Sequence, residues 1–437
     1  MDPIFLKKLE LLYSSSSTDE LEGEFRVAIL SATYRSDRSY QENVWAEELT
    51  TKGVQVRVFS PYNIQAPDSI LSSLESLPEQ KQSVVAFKLT ADITYEIEKV
   101  PSLFLGRNQF KTTLLAPALR RYQPHLCIWF GGIMGFGRSF AQDSTLSKIP
   151  TIVIYSLSTK GRHPHQIFKK GSSLRDRALS TAFRLIRGPH LKESVRRATL
   201  TIGNTPEATE IIRRHLPSGL RLKWAKKHQE IPLGFSSRDF GYLPSLRTSI
   251  RTEFGVSENT PILLYSTRFQ PDKLPALRQC WGIIEDLMDQ HPTVHMMWIG
   301  ADQGQVSTTV QGWIERSKYQ RRHHLFSFQS RKRLALLYHG ADLALFPQPS
   351  ISIQEAMGAG LWVVCPPDPS LDHLSRYSDR FTLIHSSHWI STLFDLLKSD
   401  ELFNPEHRLH QSRRTSGLSY RSLVNQTLEA LANQSTG

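Results

Sequence analysis

Cysteine is scarce in this chain of 437 residues: three occur, Cys127, Cys280 and Cys365, far apart and with no C-x-x-C pair. That speaks against a disulfide framework or a zinc knuckle, and reduced, mostly buried thiols are the expectation. Long apolar runs are also missing. The longest candidate, Leu126 to Gly137, is short and glycine-rich, well under the ~20 apolar residues of a membrane-spanning helix. The opening MDPIFLKKLELLYSSSSTDE lacks a signal peptide's apolar stretch and cleavage site, so a cytoplasmic protein is expected. No Asp-x-Asp stands at a strand end, and no His/Cys/Asp group has metal-ligand spacing. No catalytic metal and no cofactor are therefore expected.

What is present is an ordinary globular composition, 39% hydrophobic and 22% charged, with length for two or three domains. The formal net charge is +12, and it is concentrated. Between Lys160 and His228 stand seventeen Lys or Arg against four acidic residues, Asp176, Glu193, Glu207 and Glu210, a local excess of +13. Such a region can face anionic lipid, nucleic acid or an acidic substrate, or can be a solvated face. It has no interleaved aromatics and no recognisable nucleic-acid module, so nucleic acid is not the expected partner.

Short apolar runs alternate with helical patterns along most of the chain. Residues 1–24, with the tract Ser14–Ser17, read as a loosely ordered leader. FRVAIL (Phe25–Leu30) reads as a strand, Tyr40–Lys52 as a helix stopped by Gly53, and Val54–Pro61 as a second strand, which together make a βαβ unit. Further strands are expected at Ser83–Leu89, His125–Phe130, Ile149–Ser156, Ala198–Asn204 and Glu230–Phe235. Helices are expected at Phe110–Arg121, Leu174–Arg197 with a break at Gly188-Pro189, and Pro206–His215. The polar stretch Ser236–Ser257 reads as a linker. A second alternation follows, with strands at Pro261–Thr267, Val294–Gly300, His324–Phe328, Ala341–Pro347 and Leu361–Pro367, and a last helix at Tyr420–Asn433. The expected fold is α/β, two Rossmann-like doubly wound domains facing a cleft, with ligands at the strands' carboxyl edges. The expected domains are a leader (1–24), an N-terminal domain (25–240), a C-terminal domain (250–415) and a closing helix (416–437) that packs back on the first domain.

Two clusters carry chemistry. After the strand PILLYST come Arg268 and Lys273, spaced R-F-Q-P-D-K. A bidentate guanidinium and a point-charge ammonium suit a departing diphosphate, although two exposed surface cations would look the same. In PSISIQEAMGAGLWVV (Pro349–Val364) a strand gives way to a polar loop and a helix start, whose free N–H groups and partial positive charge suit phosphate. Ser350 and Ser352 add hydroxyls, and Glu355 can accept from two vicinal ribose hydroxyls. The plainer alternative is a serine cap with a first-turn acid. The string Gly131-Gly132-Ile133-Met134-Gly135-Phe136-Gly137 is not in G-x-G-x-x-G order and has no acid at the ribose position. It reads better as a loop that lets backbone approach a ligand.

Taken together, these clusters resemble the retaining glycosyltransferases of the GT-B fold, the family 4 or glycosyl transferases group 1 proteins. The order matches across the second half: the spaced Arg268 and Lys273, a strand ending in Gly300, the run LLYHGADLALFP (Leu336–Pro347), and the EAMGAGLWVV helix and strand. YQENVWAEELTTKGVQVRVFS, RRYQPHLCIWFGG, RATLTIGNTPEATEIIRRHL, EIPLGFSSRDF and LSYRSLVNQTLEAL match the family more weakly elsewhere. The resemblance implies sugar transfer from a nucleoside diphosphate sugar to an acceptor glycan, lipid or protein, with retention. It implies Arg268 and Lys273 as the catalytic cations, and donor contacts at Gly300, Phe328, Ser350, Ile351, Ser352, Ile353 and Glu355. An acceptor or sugar loop is implied at Tyr40, Gln41, Glu42, Gly131 and Gly132.

The sequence also departs from the family. Many members carry two glutamates eight positions apart; Glu355 matches the second, and Pro347 stands at the first. Ser39-Tyr40-Gln41-Glu42 replaces a glycine-rich turn. Phe130 and Ser156 stand where histidines are common, and His163 and His165 downstream are candidate substitutes. The rival readings are a catalytically degenerate subunit that stabilises a partner glycosyltransferase, and a sugar-nucleotide epimerase. The basic region predicts reversible attachment to an anionic membrane face, or an anionic acceptor held there.

Overall fold

The computed structural model describes residues 2–14, 25–35, 40–63, 84–88, 90, 93–105, 109–157, 174–385 and 388–434. The chain divides into two compact units, Met1–Pro232 together with Leu423–Gly437, and Leu233–Ser422.

The first unit is built on a nine-stranded sheet: β1 (Arg26–Ser31), β2 (Gln55–Asn63), β3 (Val84–Lys88), β4 (Thr94–Phe104), β5 (Phe110–Lys111), β6 (Leu126–Phe130), β7 (Thr151–Tyr155), β8 (Leu200–Gly203) and β9 (His228–Glu230). The order is β3-β4-β2-β1-β6-β7-β8-β9, with β5 paired to β4. Only the β3–β4 and β4–β5 pairs are antiparallel. β6 and β7 are buried along their whole length, as strands covered by helices on both faces must be. Their sequences LCIWF and TIVIY are accordingly apolar without alternation.

The second unit holds six parallel strands: β10 (Ile262–Ser266), β11 (His295–Ala301), β12 (His323–Ser327), β13 (Leu343–Leu345), β14 (Trp362–Cys365) and β15 (Phe381–Leu383). Their order, β12-β11-β10-β13-β14-β15, is that of a Rossmann sheet, in which the winding reverses between the first and fourth strands. One apolar cluster, from Leu263 and Trp298 to Val364 and Leu393, fills both sides of it. The α/β doubly wound class read from the sequence is thus the observed one for both units.

Several local readings need correction. Residues 3–14, taken with the loose leader, form a helix that buries Leu9 and Leu12, and Lys52 Nζ donates to the Leu12 carbonyl at 2.7 Å. Phe110 and Lys111 are strand rather than helix, because they pair with Phe104 and Leu103; the helix is Leu115–Tyr122. Leu174–Arg197 runs unbroken through Pro189, whose missing N–H leaves the Leu185 carbonyl without its helical partner. Of the expected strand Glu230–Phe235 only Glu230 is in a strand, as the last residue of His228–Glu230. The stretch expected as a linker contains the helices Ser237–Phe240 and Pro244–Glu253, and the division falls earlier, at Pro232–Leu233. The polar residues that suggested a linker include Arg247 and Arg251, which are buried against Asp342 at 2.7 and 3.2 Å.

Candidate functional site

Parallel strands deliver all their carboxyl ends to one edge, and a crevice opens there where the winding reverses. In the second unit that point lies between β10 and β13. The loop after β10 is short and held: Thr267 N–H donates to the Ile299 carbonyl, Phe269 N–H to Gly300, and Gln270 N–H back to Arg268 at 2.8 Å. Phe269 is buried while Arg268 is exposed. Lys273 closes a single 3-10 turn at the head of the helix Leu274–Gln290. It sits 3.3 Å from the half-exposed Asp272.

Gly300, at the end of β11, has a φ of +115°, and a Cβ there would lie 1.9 Å from the Thr267 carbonyl oxygen. Only glycine lets β11 support this loop so closely. Gly300→Ala is expected to destabilise the second unit by about 1–3 kcal/mol and to displace the Arg268 backbone. A denaturant melt read beside donor turnover checks both effects. Phe328, just past β12, is 47% exposed, and its N–H is bonded to the Ala301 carbonyl.

Beyond β13 the chain enters the helix Ser352–Gly358 through Ser350 and Ile351. This start is not the row of free donors expected from the sequence. Ser352 N–H donates to Ser350 Oγ at 3.3 Å, while the N–H groups of Ile353 and Gln354 bond to the Ser350 and Ile351 carbonyls. The tight 3-10 geometry uses the amides internally. Pro347, at the position of the family's first glutamate, is buried.

Glu355 is enclosed. Burial raises its carboxyl to about 7, with Asp239 adding to the effect and the Ser352 hydroxyl and Arg331 opposing it. Arg331 is itself paired to Asp239 at 2.7 Å, and Asp239 accepts from Ser236 Oγ at 2.6 Å. The phenol of Tyr338 is also raised by burial and by Glu355, with the hydroxyls of Ser266 and Ser352 on the other side of the balance. Tyr338, Arg331, Asp239 and Ser236 were not picked out as site residues from the sequence; LLYHGAD, which holds Tyr338, and EIPLGFSSRDF, which holds Ser236 and Asp239, were the signals.

In the first unit, polar side chains gather at the corresponding edge. Gln41, first in the helix Gln41–Thr50 that Tyr40 caps, donates to Ser156 Oγ at 2.8 Å. Asn204, after β8, donates to Gln41 Oε1 and Ser156 Oγ at 2.7 and 2.6 Å. Where the family has a histidine, this chain therefore has a neutral hydrogen-bonded trio. Glu42 accepts from Ser31 Oγ at 3.1 Å, and burial raises its pKa. Gly131 has a φ of +68°, and a Cβ on Gly132 would lie 2.6 Å from Val153 and 2.9 Å from Ser194. The glycines thus serve tight packing beneath the loop. His163 and His165 lie outside the described residues. Among the described residues no group of His, Cys, Asp or Glu is placed to hold a metal ion.

Two doubly wound units in one chain define the GT-B class of fold. Residues 247–388, within the second unit, match the glycosyl transferases group 1 family model, which assigns that segment to the family. No curated protein matches the chain in sequence. Among solved structures it is similar to sucrose-phosphate synthase from Thermosynechococcus elongatus, at 15% identity and TM-score 0.59, covering 94% of this chain and 98% of that one. HepE from Anabaena, solved with UDP and glucose, gives 15% and 0.59 over 94% and 100%. The catalytic domain of starch synthase IV from Arabidopsis thaliana, bound to ADP and acarbose, gives 13% and 0.60 over 95% and 100%.

Proposed function

We propose that the chain moves a sugar from a nucleoside diphosphate sugar to an acceptor with retention of configuration and without a metal. The observation that carries this reading is the switch-point edge of the second unit. Along it lie Arg268 and Lys273 after β10, Gly300 at the end of β11, Phe328 after β12 and the buried Glu355 in the helix beyond β13. Arg268 and Lys273 stabilise the negative charge that grows on the leaving diphosphate. A leaving phosphate oxygen takes the acceptor's proton on the face it departs from, so no protein nucleophile is needed. Glu355 accepts from the ribose hydroxyls. Neighbours solved with UDP and glucose and with ADP make such donors the first to test. Mass spectrometry of donor consumption across a sugar-nucleotide panel, with the product's anomeric configuration read by NMR, is the test. Consumption of none, or an inverted product, would overturn it.

Glu355 gives the reading a pH signature. With its carboxyl raised to about 7, the free protein carries a growing share of neutral acid below that pH, and the ribose contacts favour the ionised form. Donor affinity is expected to rise as pH increases through about 7 and to flatten in Glu355→Gln. The linkage has the opposite sign for the ligand-free fold: a carboxyl raised on folding gives stability that is lost as pH climbs through about 7. Calorimetric titrations and thermal melts across that range check the pair.

A second reading, a degenerate subunit supporting a partner enzyme, draws on Pro347 and on the Gln41–Ser156–Asn204 trio in place of histidine. No nucleotide binding by the isolated chain, together with co-purification of an active homologue, would favour it. Among the described residues no helix is long and apolar enough to cross a membrane. The basic stretch Lys160–His228 supports an acceptor presented at an anionic surface.

A further inference from the structure

Three segments far apart in the sequence meet around Glu355. The short helix Ser237–Phe240 packs on both the helix Arg331–Gly340 and the helix Ser352–Gly358, and it is anchored on each side. Phe235 N–H donates to the Leu418 carbonyl, and the Phe235 carbonyl accepts from Tyr420 N–H. A Cβ on Gly358 would lie 2.4 Å from the Phe235 ring, so that ring rests directly on the Glu355 helix. Phe240 meets the Tyr338 ring edge-on at 5.5 Å. Between these anchors stands Asp239. Its Oδ2 takes both Arg331 Nε, at 2.7 Å, and the Ser236 hydroxyl, at 2.6 Å. Arg331 is the first residue of its helix, and its side chain is 12% exposed, that of Asp239 10%. Ion pairs on an open surface act weakly. An enclosed pair is poorly screened, so its field reaches the groups beside it.

Glu355, in the first turn of Ser352–Gly358, lies in that field. Burial favours its neutral acid most; the Ser352 hydroxyl and Arg331 favour the carboxylate, and Asp239 opposes them. The other elements packed on this helix are β14, the 3-10 turn Thr415–Leu418 and the helix Pro405–Arg414. The first two bring only the Cys365 thiol, which burial pushes up to about 12. On the third, Glu406, His410, Arg413 and Arg414 are exposed, His407 faces Arg380, and Arg408 faces Arg247, Tyr242, Asp342 and Arg380. Arg238, beside Asp239, points to solvent. Tyr338 stays a neutral phenol, since burial and Glu355 both raise it. The charges that bear on Glu355 are therefore those of Arg331 and Asp239.

We propose that Arg331 and Asp239 are positioning residues for the donor: Arg331 steadies the Glu355 carboxylate that accepts from the ribose, and Asp239 fixes Arg331. This rests on the reading of Glu355 as the ribose acceptor and adds the pair that makes it one. Calorimetric titration of the full chain with UDP and with ADP, at a series of pH values about neutral, tests it. Arg331→Gln leaves Asp239 facing Glu355 without its countercharge. The pH at which affinity rises should move up by roughly one unit, with affinity below it about tenfold weaker than the parent's. Asp239→Asn leaves Arg331 facing Glu355 alone, and that pH should move down. Arg331→Lys keeps the charge and should bring the profile most of the way back. In donor turnover, the Arg331→Gln loss should fall on KM more than on kcat, because the ribose is held alike in ground and transition states.

The Glu355→Gln background is the control. Glutamine still accepts from hydroxyls, so binding stays measurable, and neither Arg331→Gln nor Asp239→Asn should alter it further. A pair that only joined helices would weaken binding there as well. Arg331→Gln/Asp239→Asn strands neither charge and covers the case of a single variant that does not fold. It should bind nucleotide roughly threefold or more weakly than the parent, again only while Glu355 is present. Parent-like profiles, shifts of one sign in both single variants, or equal losses in the Glu355→Gln background would each overturn the proposal. A parent chain that binds neither nucleotide defeats the donor reading and this inference with it. Nucleotide binding with unmoved profiles defeats this inference alone.

Discussion

Arg268→Ala is expected to lower turnover of the donor by roughly 10²–10³-fold with little change in melting temperature. The side chain is exposed, so removing it opens no cavity and leaves no buried group without a partner. Its position is set by main-chain bonds, Thr267 N–H to Ile299 and Gln270 N–H to Arg268 itself, which alanine retains. In the proposed reaction the charge it would neutralise appears as the diphosphate leaves. The loss should therefore fall mainly on kcat, with a smaller rise in KM. Lys273→Ala should act in the same direction. Its neighbour Asp272 already offsets part of the lysine's field at 3.3 Å, so Asp272→Asn should leave turnover intact or raise it slightly. Activity within a few-fold of the parent in both alanine variants would remove the two cations from the mechanism. Steady-state kinetics on a consumed donor decides this.

Asp342→Asn is expected to cost the second unit about 3–5 kcal/mol, the largest stability effect predicted. The Asp342 side chain is fully buried and faces Arg247 at 2.7 Å and Arg251 at 3.2 Å, both nearly buried themselves. It also accepts the Ile262 N–H at 2.8 Å, at the start of β10. The asparagine would leave two guanidinium groups short of a countercharge in a dry setting, with Arg408 adding a third cation close by. Arg408 itself is held by carbonyls of Tyr338, Ala341 and Ala359. For a unit of this size the melting temperature should fall on the order of 10 °C. Calorimetry should show the transition of the second unit moving while that of the first stays. A single unshifted transition would mean that the arginines find other partners.

Asp342 also shows why part of the fold could not be seen in the sequence. Strands buried on both faces spell themselves out as apolar runs, so β6, β7 and β10 were readable locally. The last helix, Tyr420–Asn433, was readable to the residue. Ser236–Ser257 was not, because burying Arg247 and Arg251 depends on a carboxylate some ninety positions away. Phe110 and Lys111 were misread for the same reason, their state being decided by β4. At the site, Arg268 and Lys273 stood out because they come soon after the apolar run of β10, and Glu355 because its helix start lies between the apolar runs Ala341–Pro347 and Leu361–Pro367. Arg331 and Asp239, which surround Glu355, come from other elements and have no shared spacing. The internal bonding of the Ser352–Gly358 start depends on Ile351 taking helical angles, and residue type alone does not announce that.

The first unit takes its last segment, Leu423–Gly437, from the far end of the chain. Leu423, Val424, Leu428 and Leu431 of that segment are buried to 1% exposure or less. During synthesis, the nine strands of this unit are made well before the helix that completes its packing. All of Leu233–Ser422 must be translated in between, which takes roughly 10–40 s at ordinary elongation rates. For that interval the nascent first unit holds an open apolar groove of its own making, a standing demand on chaperones. A ribosome that stops early would release a chain whose unfinished half is the one made first.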